Sequence, residues 1–270
     1  MVVGSVLQSN PMAKKNNQPV PPSQYETRTS LSPQIRVVLA LVLPIAISLL
    51  LGRLAGNVTG LGESQTNAPL LAGVGIVSWV LGLSWYGLTQ IGLRGGRPLF
   101  AGIGFATLGW VTFLVLRAVL LPINVEPGGG RIFVYLLLFE AFATQLWTYG
   151  LLFRSVADWR GPLTAAIASG LVFGATAFVL FQESVLADPI SLAYFIIWGV
   201  FYGIIRLRTG SLIGSSVVQA LQSFSAWIVL GPITEATSAT SLHWLYISTS
   251  IAYLIFIWRL WPKAAEDYRV

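Results

Sequence analysis

The chain has 270 residues and a formal net charge of +6, with 55% hydrophobic and only 10% charged residues. That balance is far from a soluble globular domain, and the basic residues are dispersed among short segments, which excludes a nucleic-acid-binding surface. With no cysteine, disulfides, thiolate catalysis, zinc–cysteine sites and iron–sulfur clusters are excluded together.

In chain order, residues 1–33 carry Pro11, Pro19, Pro21, Pro22 and Pro33 among Asn, Gln and Ser, without hydrophobic periodicity. A disordered tail is expected there. Met12-Ala13-Lys14-Lys15 also reads naturally as a start, which leaves open at this point whether residues 1–11 are translated. Eight apolar runs follow, at roughly 37–56, 69–92, 98–121, 131–155, 162–182, 189–207, 210–230 and 240–261. A bilayer core of ~30 Å needs about 20 residues of apolar helix. The first run starts too far in for a secretory signal peptide and lacks a small-residue cleavage pattern, so it reads as an uncleaved anchor. The expectation is an all-α integral membrane protein, a bundle of about eight transmembrane helices over 34–261, closed by a short polar tail at 262–270.

Basic residues alternate from loop to loop. Lys14, Lys15, Arg28, Arg36, Arg94, Arg97, Arg154, Arg160, Arg206, Arg208, Arg259, Lys263 and Arg269 fall on one side, 13 of the 16, leaving Arg53, Arg117 and Arg131 at or near the other. Glu63, Glu126, Glu183, Asp188 and Glu235 lie in or beside the opposite loops. Basic loops resist translocation, so both termini are expected in the cytoplasm, with the plasma membrane as the default and another energy-transducing membrane as the alternative.

Gly170/Gly174, Gly199/Gly203 and Gly210/Gly214 each place two glycines on one helix face, as close helix packing in lipid requires. Packing within the bundle is favoured over dimerisation. Trp79, Trp147, Trp258 and Trp261 near span ends fit interfacial anchoring.

Ionisable groups inside spans are expensive and mark function or register. Glu140 lies in the fourth run and Arg117 near the outer end of the third. As consecutive antiparallel spans bring both into the outer half, an interhelical ion pair is expected, and a proton or substrate site is the alternative. Glu140 and Arg154 fall ~40° apart around a helix and ~21 Å apart along it. They mark one inward stripe that also passes Thr144 and Trp147.

From the end of the fourth run the chain shows Tyr149-Gly150-Leu151-Leu152-Phe153-Arg154, then Ser169-Gly170-Leu171-Val172-Phe173-Gly174-Ala175-Thr176-Ala177. Later comes Gly210-Ser211-Leu212 leading to Gln219-Ala220-Leu221-Gln222-Ser223. Over about 149–223 this order and spacing resembles the CPBP family, the CAAX-protease and bacteriocin-processing (Abi) membrane proteins, whose core would cover about 131–230 here. The resemblance implies a first motif Glu-Glu-x-x-x-Arg, a second Phe-x-x-x-His and a third His-x-x-x-Asn/Asp. Arg154 and Phe173 match. The glutamates fall on Tyr149 and Gly150, the second-motif histidine on Ala177, and the third-motif pair on Gln219 and Ser223. In active members the acids and histidines orient a water or a metal-bound water for peptide hydrolysis, which needs a base of suitable pKa and competent ligands. Tyr, Gly, Ala, Gln and Ser supply neither, and the chain's one histidine, His243, lies outside the motifs.

Three functions follow as expectations. The first is a pseudoenzyme without cofactor or metal, an adaptor, assembly or regulatory protein that binds another membrane protein. Its former substrate groove would be lined by Tyr149, Gln219, Gln222 and Ser223, the last three sharing one helix face. The second is an active CAAX-type endopeptidase, and the third a transporter using Glu140 and Arg117. Beyond the lipid bilayer and a protein partner, no nucleic acid or nucleotide is implied. Gly92-x-Arg94-Gly95-Gly96 lacks the strand–turn–helix setting of a phosphate loop.

Overall fold

The computed structural model describes residues 29–59, 67–123, 130–181, 188–231 and 237–269. Residues 1–28 of the expected disordered tail lie outside them, as do Glu63, Glu126, Glu183 and Glu235. The described residues form helices and no strand. We number them α1 (Pro33–Thr59), α2 (Asn67–Trp85), α3 (Arg97–Leu120), α4 (130–160), α5 (Pro162–Phe181), α6 (Pro189–Thr209), α7 (213–229) and α8 (Ala239–Leu260).

Local chemistry sets the ends. Proline opens α1, α5 and α6 and is the second residue of α3, where its fixed φ suits a helix start and its missing N–H costs nothing. Asp188 caps α6, its carboxylate accepting from the Ser191 N–H at 2.8 Å. Gly210 ends α6 at φ 74°, its N–H returning to the Arg206 carbonyl. Only glycine enters this left-handed region without strain.

The eight expected runs correspond to eight helices, of which six are long and apolar enough to cross a membrane. The exceptions are α2 and α7. The run expected at 69–92 stops at Trp85, because residues 86–96 fold back as a loop. The run expected at 210–230 loses its first residues to the α6–α7 turn, and Ser215, Ser216, Gln219, Gln222 and Ser223 dilute its apolar character. The described chain is an all-α membrane protein.

Helix α4 is the central element, packed against α1, α2, α5 and α7, while α6 packs on α5, α8 and α3, and α3 on α7. The first two glycine pairs perform the expected intramolecular packing. A Cβ on Gly199 would collide with the Gly170 carbonyl and one on Gly203 with that of Ala166; from the other side, one on Gly174 would lie 2.6 Å from the Ile196 Cα. The third pair departs from expectation. Gly210 lies in the turn outside α7, and Gly214 alone meets α3, where a Cβ would come within 2.6 Å of the Ile103 nitrogen.

Trp147 also departs from its expected place at the interface. It is buried, and its indole N–H donates to the Ala40 carbonyl at 2.9 Å. That carbonyl needs an outside donor because the residue one turn later is Pro44, which has no N–H. Trp258 and Trp261 remain exposed at the end of α8, consistent with anchoring.

Candidate functional site

Two of the motif-bearing helices, α4 and α7, meet along a polar seam. Ser223 Oγ donates to Glu140 Oε1 at 2.6 Å. One turn along, Gln145 Nε2 donates to Gln219 Oε1 at 2.8 Å, Gln219 Nε2 approaches Thr144 Oγ1 at 3.5 Å, and Ser215 Oγ reaches Gln145 Oε1 at 3.2 Å. All six side chains are buried. Helix α4 adopts wide turns over Leu136–Phe142 and Leu146–Leu152, and α7 over Phe224–Val229. Such turns shift the helical register and often accompany functional sites.

The positions of the first and second motifs sit together, one level away from this seam. Tyr149 is fully buried; its hydroxyl donates to the Gly199 carbonyl at 2.6 Å, and its ring lies 5.4 Å from that of Phe173. Gly150 is covered by the 86–96 loop, so that a Cβ there would lie 3.2 Å from the Ile91 carbonyl. Ala177 is buried in the core. Gln219 and Ser223 bond Gln145, Thr144 and Glu140 rather than Tyr149 or Gly150.

Two expectations are corrected here. The Glu140–Arg117 ion pair is not made. Glu140 takes the Ser223 hydroxyl, whereas Arg117 donates to the carbonyls of Pro122, Ala226, Leu230 and Gly231 and lies over the Trp227 ring. Arg117 thus satisfies the frayed C-terminal end of α7, where carbonyls lack intrahelical donors and a cation is favoured. The groove of Tyr149, Gln219, Gln222 and Ser223 is closed and divided. Gln222 turns away from Gln219 and Ser223 toward the Tyr253 hydroxyl on α8, at 3.4 Å.

Arg154 is buried and pairs with Asp158 at 2.8 Å. Asp158 also binds Arg36 at 2.6 Å, and Arg36 donates to the Tyr86 hydroxyl at 2.8 Å, itself 3.0 Å from Ser155 Oγ. Burial pushes the Tyr86 phenol above its ordinary range, keeping it a neutral hydrogen-bonding group. This cluster joins α1, the end of α2 and the end of α4, as the alternation of basic loops requires. Asp158 and Tyr86 carry no signal in the sequence, and Arg36 reads there only as one of the basic residues of one side. Arg206 reads in the same way, yet it is fully buried. Its Nε donates to the Tyr149 carbonyl at 3.0 Å and its Nη2 to the Gln90 carbonyl at 3.2 Å, and its guanidinium lies against Gly92. As one of two arginines in a short basic segment it reads as a surface residue, and nothing in the pattern signals otherwise.

The donor set at the motif positions is a phenol, a glycine, an alanine, an amide and a hydroxyl. It does not fit a catalytic divalent metal, which takes carboxylates, imidazoles or thiolates. Among the described residues no group of three or more His, Asp and Glu side chains is placed to hold a metal ion. His243 pairs instead with Asp188, Nε2 to Oδ2 at 2.6 Å, joining the starts of α8 and α6.

The positions that the resemblance assigns to its three motifs thus lie on α4, α5 and α7 of an all-helical membrane bundle. Residues 130–225 match the family model of the Rce1-like proteins, described as type II CAAX prenyl endopeptidase Rce1-like. That match spans every motif position and bears out the CAAX-protease resemblance over this part of the chain. No curated protein and no solved structure matches the chain.

Proposed function

We propose that the chain is a non-catalytic relative of the CAAX-type membrane endopeptidases that holds another membrane protein, as an adaptor, assembly or regulatory factor, with its basic end on the cytoplasmic side. One observation carries this reading: the motif positions that would activate water have become joints of the bundle. The Tyr149 hydroxyl is committed to the Gly199 carbonyl and Gln219 to Gln145, and neither side chain is a general base at neutral pH. The 86–96 loop covers Gly150, with the Ile91 carbonyl 3.2 Å from where a Cβ would stand. Partner contact therefore falls on outer surfaces rather than in the former groove.

The test is affinity capture of the full chain from native membranes in mild detergent, with peptidase assays on a prenylated CAAX-type peptide using the same preparation. A stoichiometric membrane protein and no turnover is the expected result. Turnover that survives purification and is lost in Gln219→Leu would overturn the reading.

A further inference from the structure

Residues 262–269 of the expected polar tail are docked against the bundle. Pro262 is buried, and the Lys263 and Ala264 N–H groups donate to Asp267 Oδ2 at 2.8 and 3.3 Å, folding the segment into a turn. The other carboxylate oxygen of Asp267 forms an ion pair with Arg208 at the end of α6. Tyr268 packs against the core. Arg269 is held by its backbone alone, its N–H donating to the Leu207 carbonyl at 2.9 Å and its carbonyl accepting from Arg94 Nη1 at 3.3 Å. Its side chain is exposed.

The groups that grip the tail are set by the bundle. In a continuing helix the Leu207 carbonyl would take the Ser211 N–H, but α6 ends at Gly210 and that N–H turns to Thr209 Oγ1 at 3.3 Å. A buried carbonyl is left as an acceptor for an incoming strand, and leaving it unmet is costly. Arg94 is oriented by its own bond from Nε to the Thr89 carbonyl at 3.0 Å, and its carbonyl holds the Ser211 hydroxyl. Acceptor, donor and cation are thus prearranged for a short extended peptide with a carboxylate, then an aromatic ring, then any residue presented by its backbone.

We propose that this cleft between the 86–96 loop and the α6–α7 turn is a docking site for an acidic–aromatic segment of a partner protein, occupied in cis by the chain's own tail. The cleft lies at the basic end, so an acidic segment is also favoured by the surrounding charge. The proposal is independent of whether catalysis has been lost.

The probe is a fluorescent synthetic peptide of residues 262–270, added to the full chain in detergent micelles and followed by anisotropy. Asp267→Lys removes the ion pair and the turn, releasing the tail without shortening it. That variant should bind the peptide at least about tenfold more tightly than the unaltered chain, since a cis competitor at roughly millimolar effective concentration is gone. Adding Arg94→Ala should abolish the gain. Arg208→Glu combined with Asp267→Lys restores opposite charges across the cleft and should again exclude the peptide while unfolding thermally in detergent at the same midpoint as Asp267→Lys alone, which separates re-docking of the tail from misfolding. Equal binding by the unaltered chain and Asp267→Lys, or none by either, overturns the proposal.

Discussion

Ser223 donates its hydroxyl to the Glu140 carboxylate across 2.6 Å, so the last motif position on α7 is bonded to a residue more than two turns ahead of the first motif position on α4. The offset matters for chemistry. Ser223, where the resemblance would put an Asn/Asp, donates to a carboxylate that lies outside the motif positions, and the bond holds α4 against α7 at a level where neither Tyr149 nor Gly150 is present.

Glu140 and Arg117 should behave as independent sites. A double-mutant cycle of Glu140→Gln and Arg117→Met, read by thermal unfolding in detergent, should give a coupling below about 0.5 kcal/mol, the usual limit for separated residues. Glu140→Gln keeps an acceptor for Ser223 and should be well tolerated, while Ser223→Ala should cost about 1–3 kcal/mol by leaving a buried carboxylate without its donor. A coupling of several kcal/mol would falsify the separate assignment of these two residues.

Arg117→Met should be the most damaging single change in α3, at roughly 3 kcal/mol or more, because it strips donors from carbonyls at the end of α7. Arg117→Lys should recover only part of this, since a compact ammonium cannot span carbonyls that a planar fork reaches together. Equal stability of the two variants would show that charge alone matters.

Trp147→Phe should lower stability by about 1–2 kcal/mol through the orphaned Ala40 carbonyl. Pro44→Ala should suppress that loss, because an alanine at 44 returns the N–H that α1 lacks. Failure of the suppressor, with both variants folded, would mean that Trp147 contributes by packing and not by this bond.

Gly203→Val should prevent α5 and α6 from closing, since a β-carbon there meets the Ala166 carbonyl; loss of the folded protein in detergent is expected. Gly104, which has open space around it, is the control, and Gly104→Ala should be near neutral.

The docked tail should respond to acid. The Asp267 carboxyl is held below its usual range, first by the Lys263 N–H and then by Arg208. A group depressed in the folded state contributes fully above its unfolded pKa, about 3.9 for Asp, and its contribution is lost as pH falls through the lower folded value. Protection of the Lys263 bond should therefore be flat from neutral pH down to about pH 4 and decline only below it, as measured by pulsed proteolysis with an acid-tolerant protease of matching specificity. A decline near pH 6 would assign tail release to another group.

Much of the architecture was legible because membrane crossing imposes strong periodic demands. The alternation puts Arg36, Arg94, Arg154, Arg208 and Arg269 on one side; in the structure Arg36 and Arg154 share Asp158, and Arg94 separately holds the Arg269 carbonyl. Gly170, Gly174, Gly199 and Gly203 mark two faces of close packing in the sequence, and the structure shows that these two faces meet each other, where close approach admits nothing larger. The partners of buried charges were not legible. Arg117 was matched to Glu140 as the opposite charge on the neighbouring span, but its true partners are backbone carbonyls, which have no letter in a sequence. Gln222 was grouped with Gln219 and Ser223 by ordinary helical spacing, yet it turns to Tyr253 on α8 just before α7 passes into wide turns. Arg206 and Arg208 look alike in the string, but two positions apart on α6 they point to opposite sides of the helix, one into the bundle and one half-exposed.

The gap left by Pro44 also bears on how the protein is made. Its remedy, Trp147, is encoded 107 residues after Ala40, an interval on the order of ten seconds of synthesis at typical elongation rates. Throughout it the first helix carries a carbonyl that lipid cannot satisfy. Its residence in the bilayer is provisional until the fourth helix emerges, which gives the insertion machinery a reason to retain α1 and favours release of α1 and α4 as a pair.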